Sequence, residues 1–190
     1  VDHTIEIIEM LIKNQSLVDG RVTLDEQTSL IIFMHVLGEL REKKLFDPLL
    51  RLLACDEDMV DELFGDHLTE SIPHILISTF DGKGDKLLAL MNNRDAFSIS
   101  RDTAFRVWMY FVTTGVISKE GAKEYLISSL DELKSEYDIH LWSSWIEAVT
   151  VIGFSDLAPM VKELLDDPRM IEENYTTYEL FSHDLEERLR

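Results

Sequence analysis

The sequence has a single cysteine, Cys55, so no intramolecular disulfide can form and no zinc site of the paired-cysteine type can be assembled from these residues. Cations are scarce as well: 18 Lys and Arg stand against 37 Asp and Glu, a net charge of −19 at pH 7. A nucleic-acid binder needs a cationic stripe to displace counterions from phosphates, and a chain this anionic repels that backbone, so DNA and RNA are not expected partners. Long apolar runs are missing. The longest, Val107 to Val112 (VWMYFV), falls far short of the ~20 residues that cross a bilayer, and the first residues, VDHTIEIIEM, lack the basic-then-apolar order of a secretory leader. These absences predict a soluble, cytoplasmic protein with no membrane partner. The start at Val1 rather than Met adds the expectation that the chain is a domain of something longer. Catalytic signatures are also lacking. Cys55 is followed by Asp56-Glu57-Asp58, which disfavour a thiolate. Gly82-Lys83-Gly84 lacks the preceding glycine spacing and the Ser or Thr after Lys that a phosphate loop needs, so it reads as a turn. No cofactor is implied.

What the sequence does have is helical periodicity from end to end, with no convincing alternation of period two, so the fold class is all-α. Thr23-Leu24-Asp25-Glu26 has the form of a capping box and predicts a helix ending near Lys43. Ser100, Ser118, Asp138 and Asp156 mark further starts, and Gly20, Gly65, Gly82, Gly84, Gly115 and Gly153 mark breaks, for nine or ten helices in all. Four segments share two adjacent apolar residues and a third three places on: Leu49, Leu50, Leu53; Leu87, Leu88, Met91; Leu126, Ile127, Leu130; and Met160, Val161, Leu164. Their offsets are 38, 39 and 34 residues. A period in the high thirties built from helical hairpins predicts an α-solenoid, in which each hairpin buries its apolar face against its neighbours. The expected organisation is one domain over 1–190, with capping helices over 1–44, about four repeats over 45–170 and a C-terminal helix over 171–190.

Candidate functional residues follow from faces. His67, Glu70, Ser71, His74, Ser78 and Asp81 would share one polar face if residues 67–81 formed a single helix, and two imidazoles with a carboxylate could hold a divalent metal. Pro73 opposes that helix; if the helix begins near Ser71 the face dissolves into ordinary hydrophilic surface. Trp108, Tyr110 and Phe111 read as core. Trp142 and Trp145 lie on one stripe with Ile139, Ile146 and Val149, so core packing is the first reading and a binding groove the second. Carboxylate runs such as Asp56-Glu57-Asp58-Asp61-Glu62 and Glu172-Glu173 single out no acid/base pair.

Two resemblances add to this. Asp95 precedes Arg101 by six residues in LLALMNNRDAFSISRDTAFRVWMYF, which resembles the inter-helix Asp and following Arg of HEAT repeats and implies a structural ladder. The segment Leu63-Phe64-Gly65-Asp66-His67-Leu68-Thr69-Glu70, continuing SIPHILISTFDGKGDKLLALMNN, resembles the bacterial family catalogued as domain of unknown function 1186. The FDPLLRLL helix (Phe46 to Leu53), Asp81-Gly82 and Trp142-Ser143 belong to the same resemblance. It implies a fold and no activity. Some members carry a cysteine-rich SEC-C zinc module, for which this sequence lacks the cysteines.

The functional expectation is a non-enzymatic protein-interaction scaffold. Its anionic surface, with Asp66, Glu70, His74, Asp81, Trp142, Trp145 and Glu147 as candidate contact residues, would take a basic or helical segment of another protein. The alternative is a metal-dependent or hydrolase-like enzyme using His67, Glu70 and His74.

Overall fold

Some helices in this chain start where a short polar side chain takes up an orphan backbone amide. In the computed structural model, which describes residues 1–14, 24–173 and 176–190, Ser118 accepts the Gly121 amide at 3.0 Å and opens a helix over Lys119–Glu136. Asp138 accepts the amides of His140 (2.9 Å) and Leu141 (3.2 Å) and opens the next, Ile139–Ile152. Both starts are the expected ones. The described residues form thirteen α-helical segments and no strand, so the chain is all-α. They are α1 (Asp2–Asn14), α2 (Leu24–Glu39), α3 (Phe46–Leu53), α4 (Glu57–Phe64), α5 (His67–Glu70), α6 (Ile72–Ser78), α7 (Asp85–Met91), α8 (Ser98–Thr113), α9 (Lys119–Glu136), α10 (Ile139–Ile152), α11 (Ala158–Leu165), α12 (Pro168–Glu173) and α13 (Tyr178–Leu189).

Several boundaries differ from expectation. The proposed capping box begins at Thr23, outside the described residues, as does Gly20. α2 ends at Glu39 and not near Lys43, because Arg41 adopts a left-handed φ of 53° and the amides of Arg41 and Glu42 turn back to the carbonyls of Gly38 and Leu37, each at 2.9 Å. That is a Schellman closure with arginine where glycine is usual. At Gly153 the same reversal uses φ 87°, which costs glycine nothing, and the Phe154 amide reaches the Val149 carbonyl at 2.9 Å. Asp156 caps no α-helix; it lies in a 3₁₀ turn, Ser155–Leu157, ahead of α11. Ser100 is buried in the first turn of α8, which starts two residues earlier.

The chain gathers into two units, Val1–Val107 and Trp108–Arg190. In the first, α1 packs on α3, α3 on α7, and α2 on α6. Ile8, Met34, Leu49, Leu53, Met59 and Leu76 are fully enclosed, and Phe46 meets Phe80 edge-on with centroids 5.2 Å apart. The Arg51 guanidinium forks onto Glu9 at 2.6 and 3.0 Å, fastening α3 to α1. In the second unit α10 is the central helix, in contact with α9, α11 and α13. Its buried Ser143 and Ser144 satisfy their hydroxyls on the carbonyls of Ile139 and His140, one turn back.

The recurring apolar triplets need correcting. Leu49, Leu50 and Leu53 are all buried, but Leu88 is only half-buried and Ile127 is 44% exposed, while Leu87, Met91, Leu126 and Leu130 are enclosed. In the fourth segment it is the second and third members, Val161 and Leu164, that are buried. Adjacent residues lie about 100° apart on a helix, so both are enclosed only where the neighbouring helices cover a wide enough arc, as at Leu49 and Leu50 and not at Leu87 and Leu88. Tyr110, expected in the core with Trp108 and Phe111, is 45% exposed.

Candidate functional site

α2 and α6 approach closely because Gly38 has no side chain: a Cβ there would lie 3.2 Å from the Ser78 Oγ and 3.5 Å from the Ile75 Cγ1. The seam opens into a recess of about 280 Å³ lined by His35, Glu39, Arg41 and Gly38 from α2 and its cap, and by His74, Ile75 and Ser78 from α6. The His35 ring stands edge-on to His67, centroids 6.3 Å apart, and the His67 Nδ1 lies 3.1 Å from the Ser71 Oγ. One histidine of the candidate strip, His67, therefore meets His35 from another helix, and a second, His74, lines the recess with it. Sequence reading missed His35; its only signal was an i,i+4 pair with Glu39 on α2, and the partners across the seam are thirty or more residues away.

The single helix over 67–81 does not form. α5 stops at Glu70, and α6 restarts at Ile72 with Pro73 in its first turn, where a missing amide costs least. Glu70 and His74 are exposed on separate short helices. Among the described residues no group of three or more His, Cys, Asp or Glu side chains is arranged to hold a metal ion.

The other candidates fall into distinct places. Asp66 and Glu147 are exposed on different units. Asp81 is not a free surface carboxylate: the Lys86 ammonium lies 2.7 Å from it and 2.8 Å from Asp47, tying the loop before α7 to the first turn of α3. Burial pushes the Asp81 carboxyl up, but Lys86 and the Lys83 amide outweigh it and hold the pKa below the ordinary carboxylate value. Trp142 and Trp145 leave the list of surface residues. Both are wholly enclosed, with indole N–H groups donating to the carbonyls of Leu133 and Leu126 at 3.0 Å each. Burial of an indole requires such an acceptor, and α9 supplies both. Asp95 is exposed, with its amide on the Asn93 side chain, whereas Arg101 is buried and its Nε donates to the Met91 carbonyl at 2.9 Å. Cys55 is buried with its thiol 3.4 Å from the Arg51 carbonyl; burial, more than the neighbouring Asp56, raises its pKa and keeps it protonated.

Two surfaces remain that sequence faces alone did not rank. α4 presents Glu57, Asp58, Asp61 and Glu62 to solvent beside its exposed N-cap Asp56, and carries no Lys or Arg. On α2, Ile32, Phe33 and Val36 are 54%, 50% and 48% exposed, and Leu40, just past its end, is 69% exposed, although the opposite face, with Leu30, Met34 and Leu37, is also apolar and is buried. No helix among the described residues is long and apolar enough to cross a membrane.

The model of a family described as "Protein of unknown function (DUF1186)" matches residues 2–189. No curated protein and no solved structure matches the chain.

Proposed function

From the premise that the chain belongs to this family, whose model spans nearly all of it, we propose that it is a non-enzymatic protein-interaction scaffold. In this reading its helices stack as a HEAT- or armadillo-like solenoid, with about four degenerate hairpins over residues 45–170, and it works in the bacterial cytoplasm. The observation that carries the reading is electrostatic: a net charge of −19 together with a helix, α4, whose four solvent-facing carboxylates, joined by its N-cap Asp56, have no cation on the same helix. Asp56, Glu57 and Asp58 also favour the N-terminus of α4, where they complement the helix dipole, so part of this charge is structural. Asp61 and Glu62, in the last turn, oppose the dipole and gain nothing from it. An anionic surface of this kind raises the local concentration of cationic segments and steers their approach.

The reading is tested by affinity capture with the whole chain, followed by pairwise binding of each captured protein. Captured partners should be basic and should be released as salt rises from about 0.15 to about 1 M, where the screening length falls from ~8 to ~3 Å. Capture that persists unchanged at high salt removes the electrostatic reading.

A further inference from the structure

We propose that the solvent face of α2 is the docking site for a cationic amphipathic helix of the partner, an inference that rests on the scaffold reading and gives it an address. α2 is apolar on two opposite faces. Leu30, Met34 and Leu37 are accounted for by burial, but Ile32, Phe33, Val36 and Leu40 each leave about half or more of their surface in water. Core packing gives no reason for those four, and they form one stripe at i, i+1, i+4 and i+8, about 12 Å long at 1.5 Å per residue. Two turns is the length read by a helix that places apolar anchors at i, i+3 or i+4, and i+7 in a groove or on a face.

Charge selects the occupant. Between Leu24 and Glu39 the helix carries no Lys or Arg; the exposed Glu39 lies beside Leu40 at one end of the stripe, and the exposed Asp25 lies seven residues, about 10 Å, before Ile32 at the other. The Gln27 side-chain amide donates to the Glu62 carbonyl, which sets the start of α2 beside the end of α4 and its exposed Asp61 and Glu62. Beyond the other end lie Arg41, Lys43 and Lys44, with Lys44 3.7 Å from Asp2. The anionic flank is therefore at the N-terminal half of α2, and the partner's cations belong there. A second copy of the chain fits poorly. Four half-exposed side chains offer a few hundred Å², against the ~800 Å² per partner of a stable interface, and two copies at −19 repel. An anionic lipid surface is repelled for the same reason.

The test uses the whole chain and a labelled peptide of leucine and lysine, about 18 residues or five turns long, with leucines on one face. Fluorescence anisotropy should show binding to the wild type that weakens with salt, no binding of the leucine–glutamate counterpart, and a loss of about tenfold or more in Phe33→Ser/Val36→Ser. Both side chains are half-exposed, so this variant should melt like the wild type; if it does not, Ile32→Ser/Leu40→Ser takes its place. Undiminished peptide binding by the folded variant overturns the α2 site and leaves the acidic scaffold standing. Absence of peptide binding by the wild type at low salt overturns both. Sedimentation showing a dimer that the variant abolishes, or flotation with phosphatidylglycerol vesicles that it abolishes, overturns the proposed occupant in favour of a second copy or of lipid.

Discussion

A guanidinium enclosed among helices must find an acceptor, and Arg101, 5% exposed, finds one at the C-terminal end of α7, on the Met91 carbonyl. That carbonyl belongs to the last turn of its helix, where no helical amide follows to bond it. Two residues on, the Thr103 hydroxyl donates to the Leu68 carbonyl at 2.7 Å, so the first two turns of α8 fasten both α5 and α7. Removing a hydrogen bond to a charged donor costs about 1.5–3 kcal/mol, and Arg101→Ala should lose at least that in urea unfolding. Arg94→Ala, at an exposed position, should stay within about 1 kcal/mol. Equal losses would remove both this fastening and the proposed Asp95–Arg101 ladder. The neighbouring leucines of α7 separate in the same way. Leu87 is fully buried and Leu88 is not, so Leu87→Ala should cost about 2–5 kcal/mol and Leu88→Ala clearly less; the reverse order would mean that the buried face of α7 is misplaced.

At the scale of elements, α2 approaches α6 closely at Gly38. A valine there would set branched carbons against the Ser78 hydroxyl and the Ile75 backbone, with little room for either to yield, and overpacking of this kind costs about 1–3 kcal/mol. Gly38→Val should therefore lower the melting temperature and loosen the recess, seen as faster deuterium exchange at His35 and His74; unchanged stability would show that the seam is not tightly packed. This crossing also marks the limit of what the sequence could tell. Helix starts at Ser118 and Asp138 were legible because a cap is a bond between residues two or three apart. The break before α6 was legible because Pro73 acts on its own turn. His35 beside His67, Lys86 between Asp47 and Asp81, and the inward choice of Leu87 over Leu88 were not legible, since each is decided by which helix lies against which. The exposed stripe on α2 was hidden for the same reason: an apolar helix with two apolar faces reads as a buried one until its neighbours are known.

Over the whole molecule two electrostatic effects oppose each other as acid is added. With a net charge of −19 at pH 7, self-repulsion weakens as carboxylates take up protons, and it vanishes near the isoelectric point of about 4.5. Particular carboxylates pull the other way. The Asp167 carboxylate receives the Arg169 fork at 2.9 and 2.8 Å, while the same guanidinium lies over Tyr137 and Trp142 with its central carbon 4.8 and 4.9 Å from the ring centroids. The Arg169 hydrogen bond holds the Asp167 pKa down, from 3.8 to about 2. A group whose pKa is depressed by folding contributes its full stability above the unfolded value and loses it as pH falls through the folded one, so the window for Asp167 runs from about pH 4 down to about pH 2. Low-salt melting temperatures should therefore rise slightly from pH 7 towards the isoelectric point and then fall steeply below pH 4. Asp167→Asn cannot titrate: its melting curve should lie below that of the wild type above pH 4 and meet it near pH 2. A gap between the two that is the same at every pH would mean that the carboxylate contributes through packing alone, and that the fork on Arg169 does not couple folding to the proton.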